Sequence, residues 1–227
     1  MAAPGASETV IVVTGGDPVD ARHLPDLPHG AMVVAADSGI DRAHDLGLRV
    51  DLAVGDFDSV TERALALVRA DGAVVERHPE AKDATDFELA LDAAMKHEPR
   101  RIIVIGGHGG RLDHMLANAL LLASPDFAAV ELTAQMGKAR VHVVRHESQL
   151  HGTAGDIVTL VAPHGIATGV RTEGLLYPLR DEDLTPGSTR GVSNELVAAR
   201  ATVNVRSGVL LAIQPGVAGT HLRRTNR

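Results

Sequence analysis

The sequence predicts an α/β parallel-sheet domain, Rossmann-like in kind, in the N-terminal half, followed by an all-β domain of sandwich or barrel type. Three observations carry this reading. From Thr9 to about Ser124, short β-branched runs alternate with longer stretches of helical period, the pattern of a parallel sheet with crossover helices. After Ser124-Pro125-Asp126 the helical period disappears, and apolar runs recur between Gly, Pro, Asp and Ser at hairpin spacing. The acidic and glycine-rich motifs fall just after the N-terminal strands, where open α/β sheets bind their ligands. The expected division is residues 1–129 and 130–227.

The N-terminal strands are expected at Val10 to Thr14, Met32 to Ala36, Leu52 to Val54, Ala73 to Glu76 and Arg101 to Ile105. Apolar spacing marks the helices between them: Ala64, Leu67 and Val68 in one, Phe87, Ala90, Leu91, Ala94 and Met95 in the next, and Leu112, Met115, Leu116, Ala119 and Leu120 in a third. In the C-terminal part strands are expected at Arg140 to Val144, Ile157 to Ala162, Ile166 to Arg171, Leu196 to Val205 and Val209 to Ile213. The polar stretch Arg180 to Gly191 reads as a long loop.

Composition narrows the function. The 227 residues can bury a full core and accommodate two small domains. A net charge of −7 argues against a nucleic-acid partner, because phosphate-backbone affinity needs clustered Lys and Arg. The Arg223-Arg224 pair is too short to change that. No cysteine means no disulfide framework and no thiolate catalysis, which fits a cytoplasmic protein. Met1 to Glu8 lacks the basic start of a signal peptide and reads as a polar tail, and no apolar run approaches the roughly 18 residues that span a bilayer. A soluble protein with no membrane partner is expected. With three Phe, one Tyr and no Trp, a flat ligand would stack on Tyr177, Phe57, Phe87 or Phe127, or be held by aliphatic walls and hydrogen bonds.

Four clusters carry chemical potential. Asp51-Leu-Ala-Val-Gly-Asp56-Phe57-Asp58-Ser59 places two carboxylates two residues apart, on one face if the backbone is extended. About 5 Å apart, they would repel by roughly 1 kcal/mol in water and roughly 3 kcal/mol at a partly buried edge. Such a pair suits Mg²⁺, which takes hard oxygen ligands and arrives with substrate phosphates; the plainer reading has Asp56 and Ser59 capping the helix near Thr61. Ala36-Asp37-Ser38-Gly39 could meet a phosphate or ribose through backbone N–H groups, or be a plain cap. In Lys82-Asp83-Ala84-Thr85-Asp86-Phe87-Glu88, Thr85 and Glu88 form a capping box, and Asp83 and Asp86 exceed what a helix start requires. Asp86 could reach a metal shared with Asp56 and Asp58. Finally, Gly106-Gly107-His108-Gly109-Gly110-Arg111-Leu112-Asp113-His114 lets the backbone approach a ligand and aims a helix N-terminus at it. It lacks the Lys-Ser/Thr of a Walker loop. Arg111, His114 and Asn118 share a face opposite the leucines, which could equally be a solvated surface. Together the clusters suggest a metal-assisted nucleotide phosphate site.

These motifs, with Gly191-Val192-Ser193-Asn194-Glu195, occur in the order and spacing of the thiamine pyrophosphokinase family, which the chain resembles from about residue 33 to residue 213. The resemblance implies an α/β nucleotide-binding catalytic domain joined to a β-sandwich thiamine-binding domain, in a homodimer with its active site between subunits. It implies transfer of the pyrophosphoryl group of MgATP to the thiamine hydroxyl, giving thiamine diphosphate and AMP. By position, Asp56, Asp58 and Asp86 would hold Mg²⁺ and the ATP phosphates and carry catalysis. Asp37, Ser38, Gly39, Gly109, Gly110, Arg111 and Asp113 would line the ATP site. Asp83 lies alongside on the substrate side, and Ser193 and Asn194 would hydrogen-bond the aminopyrimidine from the partner subunit. Two departures stand out: Ser38 replaces a common glycine, where a positive φ would be awkward, and no tryptophan is present to stack on thiamine. Two other readings fit parts of the pattern. One is a haloacid-dehalogenase-like phosphatase with Asp56 as nucleophile, and the other a non-catalytic thiamine or nucleotide sensor.

Overall fold

The computed structural model describes residues 8–79 and 83–216; residues 1–7 of the expected polar tail, Lys82 and Arg223-Arg224 lie outside the described residues. The chain divides into two compact units, Met1–Leu121 with Ala129–Gly137, and Leu122–Ala128 with Lys138–Arg227.

The first unit runs β1 (Thr9–Val13), β2 (Met32–Ala36), α1 (Gly39–Asp45), β3 (Leu52–Gly55), α2 (Glu62–Ala70), β4 (Val74–Arg77), α3 (Asp86–Met95), β5 (Arg101–Ile105), α4 (Leu112–Leu121) and β6 (Glu131–Met136). Its strands lie in the order β6-β5-β1-β2-β3-β4. Every neighbouring pair is parallel. Residues 131–136 fall on the C-terminal side of the division expected from texture, yet β6 pairs in parallel with β5 and belongs to the first unit. The sequence Glu-Leu-Thr-Ala-Gln-Met alternates like a hairpin strand, so composition alone cannot distinguish a parallel strand from an antiparallel one.

The central strands are apolar at successive positions because both sheet faces are covered. All five residues of β1 are buried. On one face Ile11, Val13, Ala35, Ala53, Ile103 and Ile105 pack with Ile40 and Ala43 of α1 and Leu65 and Val68 of α2. Helix α3 packs on β2 and β3 and buries Phe87, Ala90, Leu91, Ala93 and Ala94. Its start is capped by Thr85, whose hydroxyl accepts from Glu88 N at 3.2 Å. Helix α4 departs from expectation. Its apolar residues do not face a core; Leu112, Leu116 and Leu120 are 65, 52 and 44% exposed, and no residue of the helix is buried.

The second unit contains β7 (Ala139–Val144), β8 (Glu147–His151), β9 (Ile157–Val161), β10 (Ala167–Glu173), β11 (Arg180–Leu184), β12 (Asn194–Glu195), β13 (Arg200–Asn204) and β14 (Leu210–Gln214). They form two antiparallel sheets, β12-β9-β14-β7 and β11-β10-β13-β8. One buried cluster joins the sheets: Val144, Val158, Leu160, Leu210 and Ala212 from the first, Leu150, Val170, Leu184, Ala201 and Val203 from the second. The stretch expected to be a long loop contains edge strand β11, Arg-Asp-Glu-Asp-Leu, whose charges blunt an exposed edge.

Candidate functional site

Strands β2 and β3 are neighbours in the parallel sheet and end side by side, which brings their following loops together. Asp37 N donates to Val54 O at 2.9 Å, tying the end of one strand to the other. Asp37, Asp56 and Asp58 each bring a carboxylate oxygen within 4.8 Å of the others. The route differs from the expected strand alternation. β3 stops at Gly55, and Phe57 adopts a left-handed φ of 62°, so a tight turn folds the two acids onto one side. Phe57 is buried beneath, and Arg77 holds the turn from outside. Its guanidinium lies 5.2 Å from the ring centroid and donates to Asp56 O at 2.7 Å. Asp58 N donates back to Asp56 Oδ1 at 3.2 Å.

Neither Asp56 nor Ser59 caps α2. That place belongs to Thr61, which accepts from Ala64 N, while the Ser59 hydroxyl donates to Asp37 Oδ2. The other oxygen, Asp37 Oδ1, is buried with no hydrogen-bond partner among the described residues. Burial pushes the Asp37 carboxyl above its ordinary range and the charges of Asp86 and Asp56 push the same way, against the Ser59 and Ser38 hydrogen bonds. Asp86, the first residue of α3, falls outside the three-acid group but borders it. A Cβ placed on Gly55 would lie 3.2 Å from Asp86 Oδ1 and 3.3 Å from Asp37 Cβ. Asp83 is exposed ahead of the helix cap.

At the start of α1 the positive φ falls on Asp37 (44°), whereas Ser38 sits at −61°, so the serine is not strained. Gly39 is required for packing: a Cβ there would stand 2.2 Å from Val13 O. Beside it lies Gly15-Gly16-Asp17, a loop after β1 that sequence reading passed over, although a glycine pair after an apolar strand is the signal used elsewhere. Gly107 N donates to Gly15 O at 2.8 Å and Asp17 N to His108 O at 2.9 Å, so this loop and the glycine loop after β5 hold one another. Gly109 (φ 76°) lies against Asp17, and Gly110 (φ 60°) faces open space. His108 is turned toward Gly137, and burial lowers its pKa against the pull of Asp17.

Arg111 and Asp113 form an exposed bidentate pair, Nε to Oδ1 at 3.1 Å and Nη2 to Oδ2 at 2.5 Å. The Arg111 hydrogen bonds hold the Asp113 carboxyl down at about 2. Asn118, assigned to the same polar face, instead turns back to donate to Gly107 O at 3.2 Å. In the second unit Ser193 is exposed with a φ of 57°, and its N–H donates to Thr159 Oγ1 at 3.1 Å. Asn194 is 3% exposed, and its side chain is bound to the backbone of Tyr177.

Comparison with known proteins agrees with this arrangement over both units. The description thiamin pyrophosphokinase, catalytic domain, matches residues 27–134. The description thiamin pyrophosphokinase, vitamin B1 binding domain, matches residues 141–210. The chain is 27% identical over 215 residues to thiamine pyrophosphokinase of Bacillus subtilis strain 168, covering 91% of this chain and 98% of that protein. The crystal structure of thiamine pyrophosphokinase from Bacillus subtilis superposes with a TM-score of 0.77 at 27% identity, over 93% of this chain and 99% of that one. Thiamin pyrophosphokinase from Geobacillus thermodenitrificans gives 0.76 at 27% identity, over 94% and 98%. Neither the phosphatase nor the sensor reading finds support in these likenesses. Matched in order along both of its units, the chain belongs to the thiamin pyrophosphokinase family.

Proposed function

We propose that this enzyme transfers the pyrophosphoryl group of ATP to the hydroxyl of thiamine with Mg²⁺, releasing thiamine diphosphate and AMP. The observation that carries the reading is the trio Asp37, Asp56 and Asp58 within 4.8 Å, with one buried Asp37 oxygen unpartnered among the described residues. Carboxylates this close repel unless a cation lies among them. Hard oxygen donors on a sheet edge also fit Mg²⁺, which keeps water and phosphate ligands besides one or two carboxylates. Asp56 and Asp58, with Asp86 and Asp37 bordering them, would hold the ion. When bound, Mg²⁺ neutralises charge on the phosphate oxygens and orients them for in-line attack.

The chain's own groups do the rest by position. The Rossmann-like parallel sheet of the N-terminal domain, which extends through β6, presents the nucleotide half. Gly109 and Gly110 let the backbone approach phosphate, and Ser38 and Gly39 line the opposite side. Arg111 can exchange its exposed partner Asp113 for a phosphate oxygen at little cost, because solvent screens an exposed ion pair. Asp83, Ser193 and Asn194 serve thiamine, the last two from the C-terminal domain. A homodimer with its site between subunits follows from the family resemblance. The exposed leucine stripe on α4 supports such a partner. A cytoplasmic setting agrees with the lack of cysteine, and no helix among the described residues is long and apolar enough to cross a membrane.

Purified protein given MgATP should release AMP only when thiamine is present. Release of inorganic phosphate without AMP would overturn the assignment.

A further inference from the structure

We infer that Arg77 is a positioning residue for the divalent cation: from the edge strand β4 it locks the Phe57 turn in its left-handed form and so keeps Asp56 and Asp58 gathered with Asp37 as a preformed cation site. The inference rests on the metal-assisted reading proposed above. A bulky side chain at a φ of 62° is uncommon, because the left-handed region crowds Cβ against the following carbonyl, and neighbouring contacts must hold it there. Were Phe57 to return to a negative φ, Asp58 would swing away from Asp37 and the trio would open.

Arg77 supplies two such contacts. Its guanidinium covers the buried Phe57 ring at 5.2 Å from the centroid, and Nη1 donates to Asp56 O at 2.7 Å. One group thereby grips the residue at the centre of the turn and the peptide carbonyl that precedes it. The place of Arg77 is itself fixed by the sheet, since it pairs in parallel register with Gly55, and His78 N donates to Gly55 O at 2.9 Å. Gly55 has no side chain, so the arginine can cross the end of β3 to reach the turn.

The sign of the effect separates this role from plain electrostatics. Both contacts go to the turn and neither goes to a carboxylate, so through them Arg77 does not neutralise the acids. A positive charge beside a cation site opposes cation binding, and its removal should tighten the site by Coulomb's law alone. If Arg77 instead keeps the ligands together, its removal should loosen the site, because affinity falls with the fraction of molecules in the competent geometry.

The test titrates Mn²⁺, which like Mg²⁺ takes oxygen ligands, into nucleotide-free wild type, Arg77→Met and Arg77→Lys, following loss of the free-ion paramagnetic resonance signal. Arg77→Met keeps an apolar stem but loses charge and donor, and should weaken Mn²⁺ binding by about 5- to 30-fold. Arg77→Lys keeps a cation beside the ring and should recover part of the loss. In turnover, Arg77→Met should raise the Mg²⁺ concentration for half-maximal AMP release by a similar factor, with kcat at saturating Mg²⁺ within about 2-fold of wild type. Unchanged or tighter Mn²⁺ binding in Arg77→Met would overturn the inference. A lower kcat with an unshifted Mg²⁺ requirement would mark a general loss of structure and overturn it as well. Wild-type protein that releases AMP yet takes up no Mn²⁺ without nucleotide would overturn the preformed site and leave the proposed function standing. Mn²⁺ uptake that depends on Arg77 in a protein that makes no AMP would do the reverse.

Discussion

Replacing Asp58 with Asn should stabilise the metal-free protein while removing its activity. Asp58 has a carboxylate oxygen within 4.8 Å of Asp37 and of Asp56. At that separation a pair of unit charges repels by about 0.9 kcal/mol in water and about 3.5 kcal/mol at an effective dielectric of about 20. Asp58 is exposed, so the water value weighs more, and removing its charge should relieve about 1 to 3 kcal/mol. For a chain of this size about 1 kcal/mol moves the melting temperature by about 2–4 °C, so Asp58→Asn in EDTA should melt about 2–12 °C higher than wild type. Adding Mg²⁺ should reverse the ranking, because a ligand at 100 times its Kd contributes about 2.7 kcal/mol to a protein that still binds it. Turnover should fall by about 100-fold or more. An unchanged melt in EDTA, a wild-type response to Mg²⁺ and near-normal turnover would together exclude a metal held by Asp58.

Three further outcomes are expected. His142 is held down at about 4, chiefly by burial and also by the nearby Arg140 charge, so the unfolded chain takes up the proton first. Stability should be complete above about pH 6.5 and decline by about 3 kcal/mol as pH falls toward 4; His142→Leu should flatten that part of a urea-unfolding series. Gly39→Ala should cost about 1–3 kcal/mol or more, because the new methyl meets Val13 O, and its denaturation midpoint reports this directly. Leu116→Glu should shift sedimentation toward monomer without lowering helix content, since Leu116 is 52% exposed and its loss opens no cavity in the unit's own core.

Much of the first unit was legible because buried parallel strands declare themselves. Met32–Ala36 and Arg101–Ile105 occur where their apolar runs predict. The acidic loops were legible as well, since carboxylates spaced after successive strands must share the sheet's C-terminal edge. What escaped depends on tertiary context. The left-handed turn at Phe57, rather than strand alternation, unites Asp56 and Asp58, and no residue pattern announces a non-glycine positive φ. Asp37 joined the acid group because Val54 O fixes the end of β2, a contact between segments 17 residues apart. The stripe of α4 was correct in period, but period cannot say whether a helix faces its own core or solvent. Asn194 looked like a ligand contact from its motif; only its hydrogen bonds reveal that its amide is engaged with Tyr177.

The most direct test quantifies AMP and thiamine diphosphate together during turnover of ATP and thiamine, with and without EDTA. The account predicts equal amounts of both products, abolished by EDTA and restored by Mg²⁺. Thiamine diphosphate formed at an undiminished rate in EDTA, or ADP formed in place of AMP, would contradict it.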